Sequence, residues 1–155
     1  MHSPQDPYLI STTHETASLR ITASFLPDYT LTHNGAIAMR LAIKQLNSTS
    51  HSLYLQSFQM LVFGYTDIRV GSSVRTEMSV STVVSRSNLD MRICGANADI
   101  GMEYEVDKGL WECGRLGAQV VPSFEGCGVG RSYEVEVLMG LMCRGAKVNL
   151  TSLWD

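Results

Sequence analysis

The chain contains no run of lysine and arginine, and that absence excludes nucleic acid as a main partner, because phosphate binding draws on a basic patch. The net charge of -3 over 155 residues points the same way. A long apolar run is also missing. Residues 137–143, interrupted by Gly140, fall well short of the roughly 20 residues that span a bilayer, so no membrane partner is expected. Residues 1–17 lack the basic start and apolar middle of a secretory signal. Cys94, Cys113, Cys127 and Cys143 form no CxxC pair and no ligand cluster, so buried thiols are expected rather than disulfides or a metal site. Asn47-Ser48-Thr49 and Asn149-Leu150-Thr151 match the glycosylation sequon; chance matches and a cytoplasmic address are the expectation. Charged residues make up 17%, below the usual quarter, which favours a well-buried, oligomeric body.

What the chain does have is alternation. Residues 1–155 read as a single domain with 1–17 as a loose lead-in carrying Pro4 and Pro7. Leu19, Ile21, Ala23 and Phe25 alternate with Arg20, Thr22 and Ser24, a half-buried strand stopped by Pro27-Asp28. Residues 53–65 form a long apolar strand. Val74, Thr76, Met78, Val80, Thr82 and Val84 then alternate with polar neighbours in the cleanest period-two run of the chain. Shorter alternating stretches follow at 89–93 and 102–106. Asp107-Lys108-Gly109 makes a turn into a further strand over 110–121, and 133–154 forms a final hairpin around Arg144-Gly145.

One segment reads differently. Over 33–47, Ile37, Ala38, Met39, Leu41, Ala42, Ile43 and Leu46 are apolar, while Arg40, Lys44 and Asn47 fall at i, i+4 and i+7. That spacing predicts a core helix with one narrow polar stripe. His33-Asn34-Gly35 would open it, with Asn34 as cap and Gly35 permitting close approach to free backbone N–H groups.

A helix after a first strand, followed by long antiparallel strands, predicts an α+β domain whose curved sheet wraps one central helix. The pattern resembles the hotdog fold of the thioesterase and dehydratase superfamily over 19–121. Three matches carry the resemblance: His33-Asn34-Gly35, the strand from Tyr54 running into Asp67-Ile68-Arg69-Val70-Gly71, and Gly114-Arg115-Leu116-Gly117-Ala118. The hairpin at 133–154 is extra to the minimal fold. The alternative architecture is an all-β barrel of the cyclase or lipocalin type.

The resemblance implies a homodimeric enzyme acting on an acyl thioester or polyketide-type substrate, most simply by hydrolysis. Backbone donors at His33, Asn34 and Gly35 would polarise the carbonyl, a contribution of about 3–4 kcal/mol per donor. The family's helix acid would lie near Ala42, and no acidic residue occurs between Asp28 and Asp67. The base would therefore come from elsewhere, with Glu77 assigned and His33, His51 and Asp67 as other sources. Tyr54, Phe58, Met60, Met78 and Trp111 are assigned to the apolar substrate cavity, although core packing is the simpler reading of such residues. Non-hydrolytic cyclisation, isomerisation or dehydration in the same cavity, and simple binding of a hydrophobic ligand, are the alternatives. No cofactor is expected. The segment 126–130, rich in glycine, reads as a turn rather than a phosphate cradle.

Overall fold

The structure, a computed structural model, describes residues 8–11, 16–25, 34–48, 50–117, 120–143 and 146–154. Two antiparallel sheets make up the fold. The smaller contains β1 (Tyr8–Ser11), β2 (Thr16–Phe25), β3 (Met39–Gln45) and β7 (Glu103–Glu105), in the order β1-β2-β3-β7. The larger is built on β4 (Leu53–Val70), flanked on one side by β9 (Val129–Cys143) and then β10 (Ala146–Trp154). On its other side β4 pairs first with β6 (Met91–Cys94) and then with β5 (Ser73–Arg86), while β8 (Phe124–Glu125) pairs with the outer end of β9. A short 3-10 turn, Lys108–Leu110, follows β7.

This overturns the expected α+β, hotdog-like architecture with its central helix. Among the described residues there is no α-helix; the architecture is nearly all-β, as in the alternative, but the strands curl into a half-barrel rather than a closed barrel of the cyclase or lipocalin type. Residues 39–45 of the expected helix are β3, paired with β2 from Leu19↔Gln45 to Phe25↔Met39. The reason lies in side-chain size. Ile37, Met39, Leu41 and Ile43 are large and buried at odd positions, whereas 36, 38 and 42 are alanine and 40 and 44 are charged. That is a period of two, matched to a neighbouring strand whose own Leu19, Ile21 and Ala23 are buried. Alanine's helix propensity and the helix-like spacing of Arg40 and Lys44 are overridden by tertiary pairing.

The inner faces of both sheets share one apolar core. Leu53, Leu55, Phe58, Met60 and Val62 from β4 meet Val135, Val137, Met139 and Leu141 from β9, with Ile21, Leu41 and Ile43 from the smaller sheet. The buried set in β4 shifts from odd to even numbers because a bulge between Leu55 and Ser57 inserts an unpaired residue. Each fully buried side chain of this kind contributes about 1.5–3 kcal/mol. Residues 111–117, expected as strand, instead form a turn and loop whose Trp111 is 2% exposed and stacks on Phe58 at 5.4 Å between ring centroids. The hairpin at 133–154 is built into the larger sheet, where β9 is an interior strand.

The outer half of β4, with β5 and the start of β9, runs past the core as a long arm. Its β4–β5 turn needs only Gly71 and Ser72, with Gly71 at φ 63, a conformation that costs glycine nothing. Phe58→Ala should cost about 3–5 kcal/mol in chemical denaturation, because it leaves a cavity and removes the aromatic partner of Trp111. Far-ultraviolet circular dichroism of the native protein should show a β-sheet spectrum without a helical component; a helical double minimum would contradict β3.

Candidate functional site

The apolar residues at the end of the smaller sheet leave a groove of about 490 Å³, within the range of small-molecule sites. One wall is the end of β2, with Ser24 and Phe25. A second is the extended chain entering β3, residues 36–40, and the third is the 3-10 turn with Lys108, Trp111 and Glu112. The alternation of the second wall shapes the groove. Ile37 and Met39 are buried and face the core, so between them only the methyl group of Ala38 and, at either end, Ala36 and Arg40 rise toward solvent. Trp111 is held in place from behind by Phe58.

Its polar groups sit at the rim. Arg40 binds Glu103 at 3.0 Å and Glu105 at 3.1 Å across the β3–β7 pair. The side-chain bond to Glu105, followed by that to Glu103, holds the Arg40 guanidinium above its ordinary range. Lys108 makes no ion pair among the described residues, so its ammonium is the rim's positive charge without a carboxylate partner there, on the same wall as Glu112. The turn that presents Lys108 is fixed by Asp107, whose carboxylate accepts from the Gly109 N–H at 2.9 Å.

The residues assigned from sequence are dispersed. His33 lies outside the described residues. Asn34 is exposed in a left-handed conformation, φ 56, and Gly35 is half-buried. They lead into a strand, so no helix terminus aims converging N–H groups at a carbonyl. Their proximity to the groove comes through Ala36, which lines it. Glu77 is exposed on the β5 arm and paired with Arg75 at 3.0 Å. Tyr54 is half-buried between the inward-facing Leu53 and Leu55, Met60 is deep in the core, and Met78 is exposed. Trp111 alone of the assigned cavity residues lines the groove, with Phe58 beneath it. Phe25, Ile37, Met39, Arg40 and Lys108 were not assigned. For Ile37, Met39 and Arg40 the signal lies in the large–small alternation of 36–43, which fits a helix as well as a strand.

A second polar cluster lies on the inner face of the arm. Arg131 donates from Nε to the Tyr133 hydroxyl at 3.1 Å, to Thr66 Oγ1, and from Nη2 to Ser79 Oγ at 2.8 Å, and it lies over the Tyr133 ring. The absence of a side chain at Gly64 makes this possible, since a methyl there would run into the guanidinium and sit 2.9 Å from Ser79 Oγ. Tyr133 in turn accepts from the Val121 N–H and donates to the Val121 carbonyl, tying the 120–123 segment to the sheet. The guanidinium is thus held by neutral oxygen partners as a structural brace.

Among the described residues there is no group of three or more His, Cys, Asp or Glu placed to hold a metal, and no helix long and apolar enough to cross a membrane. All four cysteines are free thiols. Cys94 and Cys143 flank Leu53 on opposite sides, two strand spacings or about 10 Å apart, beyond the reach of a disulfide. Burial pushes the Cys94 thiol up, partly opposed by a backbone hydrogen bond from Leu53. It also donates to Gln45 Oε1 at 3.4 Å. No protein-family model matches the chain, and no curated protein matches it.

A thiol reagent at neutral pH should label Cys113 and Cys127 rapidly and reach Cys94 and Cys143 only when denaturant unfolds the protein. Mass spectrometry of labelled peptides checks this. Rapid labelling of Cys94 would contradict the β4–β6 pairing that buries it.

Proposed function

We propose that the protein binds a small amphipathic acyl compound in the groove between β2, β3 and the 108–112 turn. The hydrocarbon lies against Phe25, Ala38 and Trp111, and an anionic head group meets Lys108. The observation that carries this reading is the combination of an aromatic and aliphatic groove with one ammonium at its rim that makes no ion pair among the described residues, while the neighbouring guanidinium of Arg40 is already neutralised by two carboxylates. Apolar lining supplies affinity and a few placed charges set orientation. The protein acts as a hydrophobic-ligand binding protein, and a reducing, cytoplasmic compartment suits its four free thiols.

A second reading keeps the ligand and adds chemistry on it: hydrolysis of an acyl thioester, or cyclisation, isomerisation or dehydration of a polyketide-type compound. Two features favour it. Asn34 and Gly35 run directly into the groove wall at Ala36, and Glu112 places a carboxylate at the opposite lip. Binding comes first because the groove has no nucleophile hydrogen-bonded to a base among the described residues.

Isothermal titration with dodecanoate, dodecylamine and a dodecanoyl thioester tests both. Dodecanoate should bind saturably and dodecylamine should bind at least about threefold more weakly; Lys108→Glu should lessen the preference for the carboxylate by about threefold or more. Ala38→Trp should fill the groove and abolish binding while leaving the circular dichroism unchanged. Undiminished binding by a folded Ala38→Trp variant would remove the groove as the site. Release of thiol from the thioester, lost in Glu112→Gln, would establish the second reading.

A further inference from the structure

The arm formed by β4 and β5 leaves one side of β5 open. β5 ends the larger sheet, and its only strand partner among the described residues is β4. Every residue from 73 to 80 is exposed. A long, regular edge of this kind carries a row of unpaired N–H and C=O groups and pairs readily with another strand. The bulge that interrupts the hairpin lies at its inner end, between Met60 and Leu61 of β4, and leaves 73–80 regular.

We propose that this edge is a self-recognition site at which two copies of the chain join antiparallel about a two-fold axis through Thr76. The register follows from the charges. Only Arg75 and Glu77 are charged within 73–80, and they are two residues apart on the same face of the strand, 78% and 54% exposed. Centring the pairing on Thr76 places each Arg75 opposite the partner's Glu77, twice by symmetry. Centring it on position 75 would set arginine against arginine, and centring it on 77 would set glutamate against glutamate. Like charges directly opposite destabilise a strand pair and unlike charges stabilise it, so the edge selects its own register.

The opposite face agrees. Val74 and Met78, each 61% exposed, become cross-strand neighbours in the same register, Val74 against the partner's Met78 and the reverse. Two pairs of exposed apolar side chains are thereby covered on the face away from Arg75 and Glu77. The interface is isologous, as a two-fold contact requires. A single paired strand buries less than the ~1,600 Å² of a standard interface, so the association is reversible and follows concentration.

Sedimentation velocity over a concentration series on the full chain tests this. The unmodified protein should pass from monomer to dimer. Arg75→Glu and Glu77→Arg should each weaken self-association about tenfold, by placing like charges opposite one another at two positions. The double variant, Arg75→Glu with Glu77→Arg, should return to within about threefold of the starting affinity. In a background with Cys113→Ser and Cys127→Ser, Thr76→Cys should form a disulfide-linked dimer on mild oxidation, because directly opposed residues of an antiparallel pair lie within disulfide range. Ser85→Cys in the same background should not. A protein that stays monomeric at every concentration overturns the proposal. So does a dimer indifferent to the single reversals, a double swap that fails to recover, or cross-linking at Ser85 in place of Thr76.

Discussion

β4 is the strand on which the rest of the molecule depends. Its 18 residues extend ~60 Å, about three times an ordinary strand, and they hydrogen-bond to β5, β6 and β9. Such a length forces one strand to serve two environments. The half up to Val62 has a covered inner face carrying Leu53, Leu55, Phe58, Met60 and Val62. Beyond it the smaller sheet no longer covers the inner face, and the row becomes Gly64, Thr66 and Ile68, with Arg131 laid across it. The change from apolar to polar along one face of one strand marks where the shared core ends.

The groove is a product of the same boundary seen from the other sheet. β2 and β3 are shorter than β4, so their ends, at Phe25 and Met39, stop near the level of Phe58 and Trp111. The segment after β7 must close that end, and it does so with one large ring. Trp111 stacks on Phe58, packs its loop against the sheet and leaves a recess beside Ala38, because alanine is too small to fill it. Arg40 shows how the charges are arranged there: its pairing with Glu103 and Glu105 ties β3 to β7 and leaves the rim's positive charge to Lys108.

Strand positions were legible in the sequence wherever polar and apolar residues alternated, as in β2 and β5. β3 was not, because the positions between its large residues hold a buried alanine as well as charges, and alanine fits a helix interior as comfortably as a strand's second face. The distinguishing sign was volume rather than polarity. In β5 the alternation gave the strand but not its orientation. The apolar row Val74, Met78 and Val80 faces solvent, while Ser79 and Ser81 share the face that β4 turns to the core. A period of two says that a strand has two kinds of face; it does not say which one the remainder of the chain will cover. Of the candidate site, the aromatic pair Phe58 and Trp111 was recognisable by bulk. Lys108 was hidden in an ordinary turn motif, and Arg40 in a supposed helical stripe.

The order of strands along the chain bears on how the protein is made. β4 and β5 meet across a two-residue turn and can zip together as soon as both leave the ribosome. The other flank of β4 waits for β9, whose Cys143 pairs with Leu53 from 90 positions downstream. Contacts so distant in sequence are slow to form, since chain entropy must be surrendered before they reward it. During that interval a long hydrophobic ribbon stands with Phe58, Met60 and Val62 uncovered on one surface, open to wrong partners in a crowded cell. Demand on chaperones should therefore peak late in synthesis and end when the final hairpin slots into place.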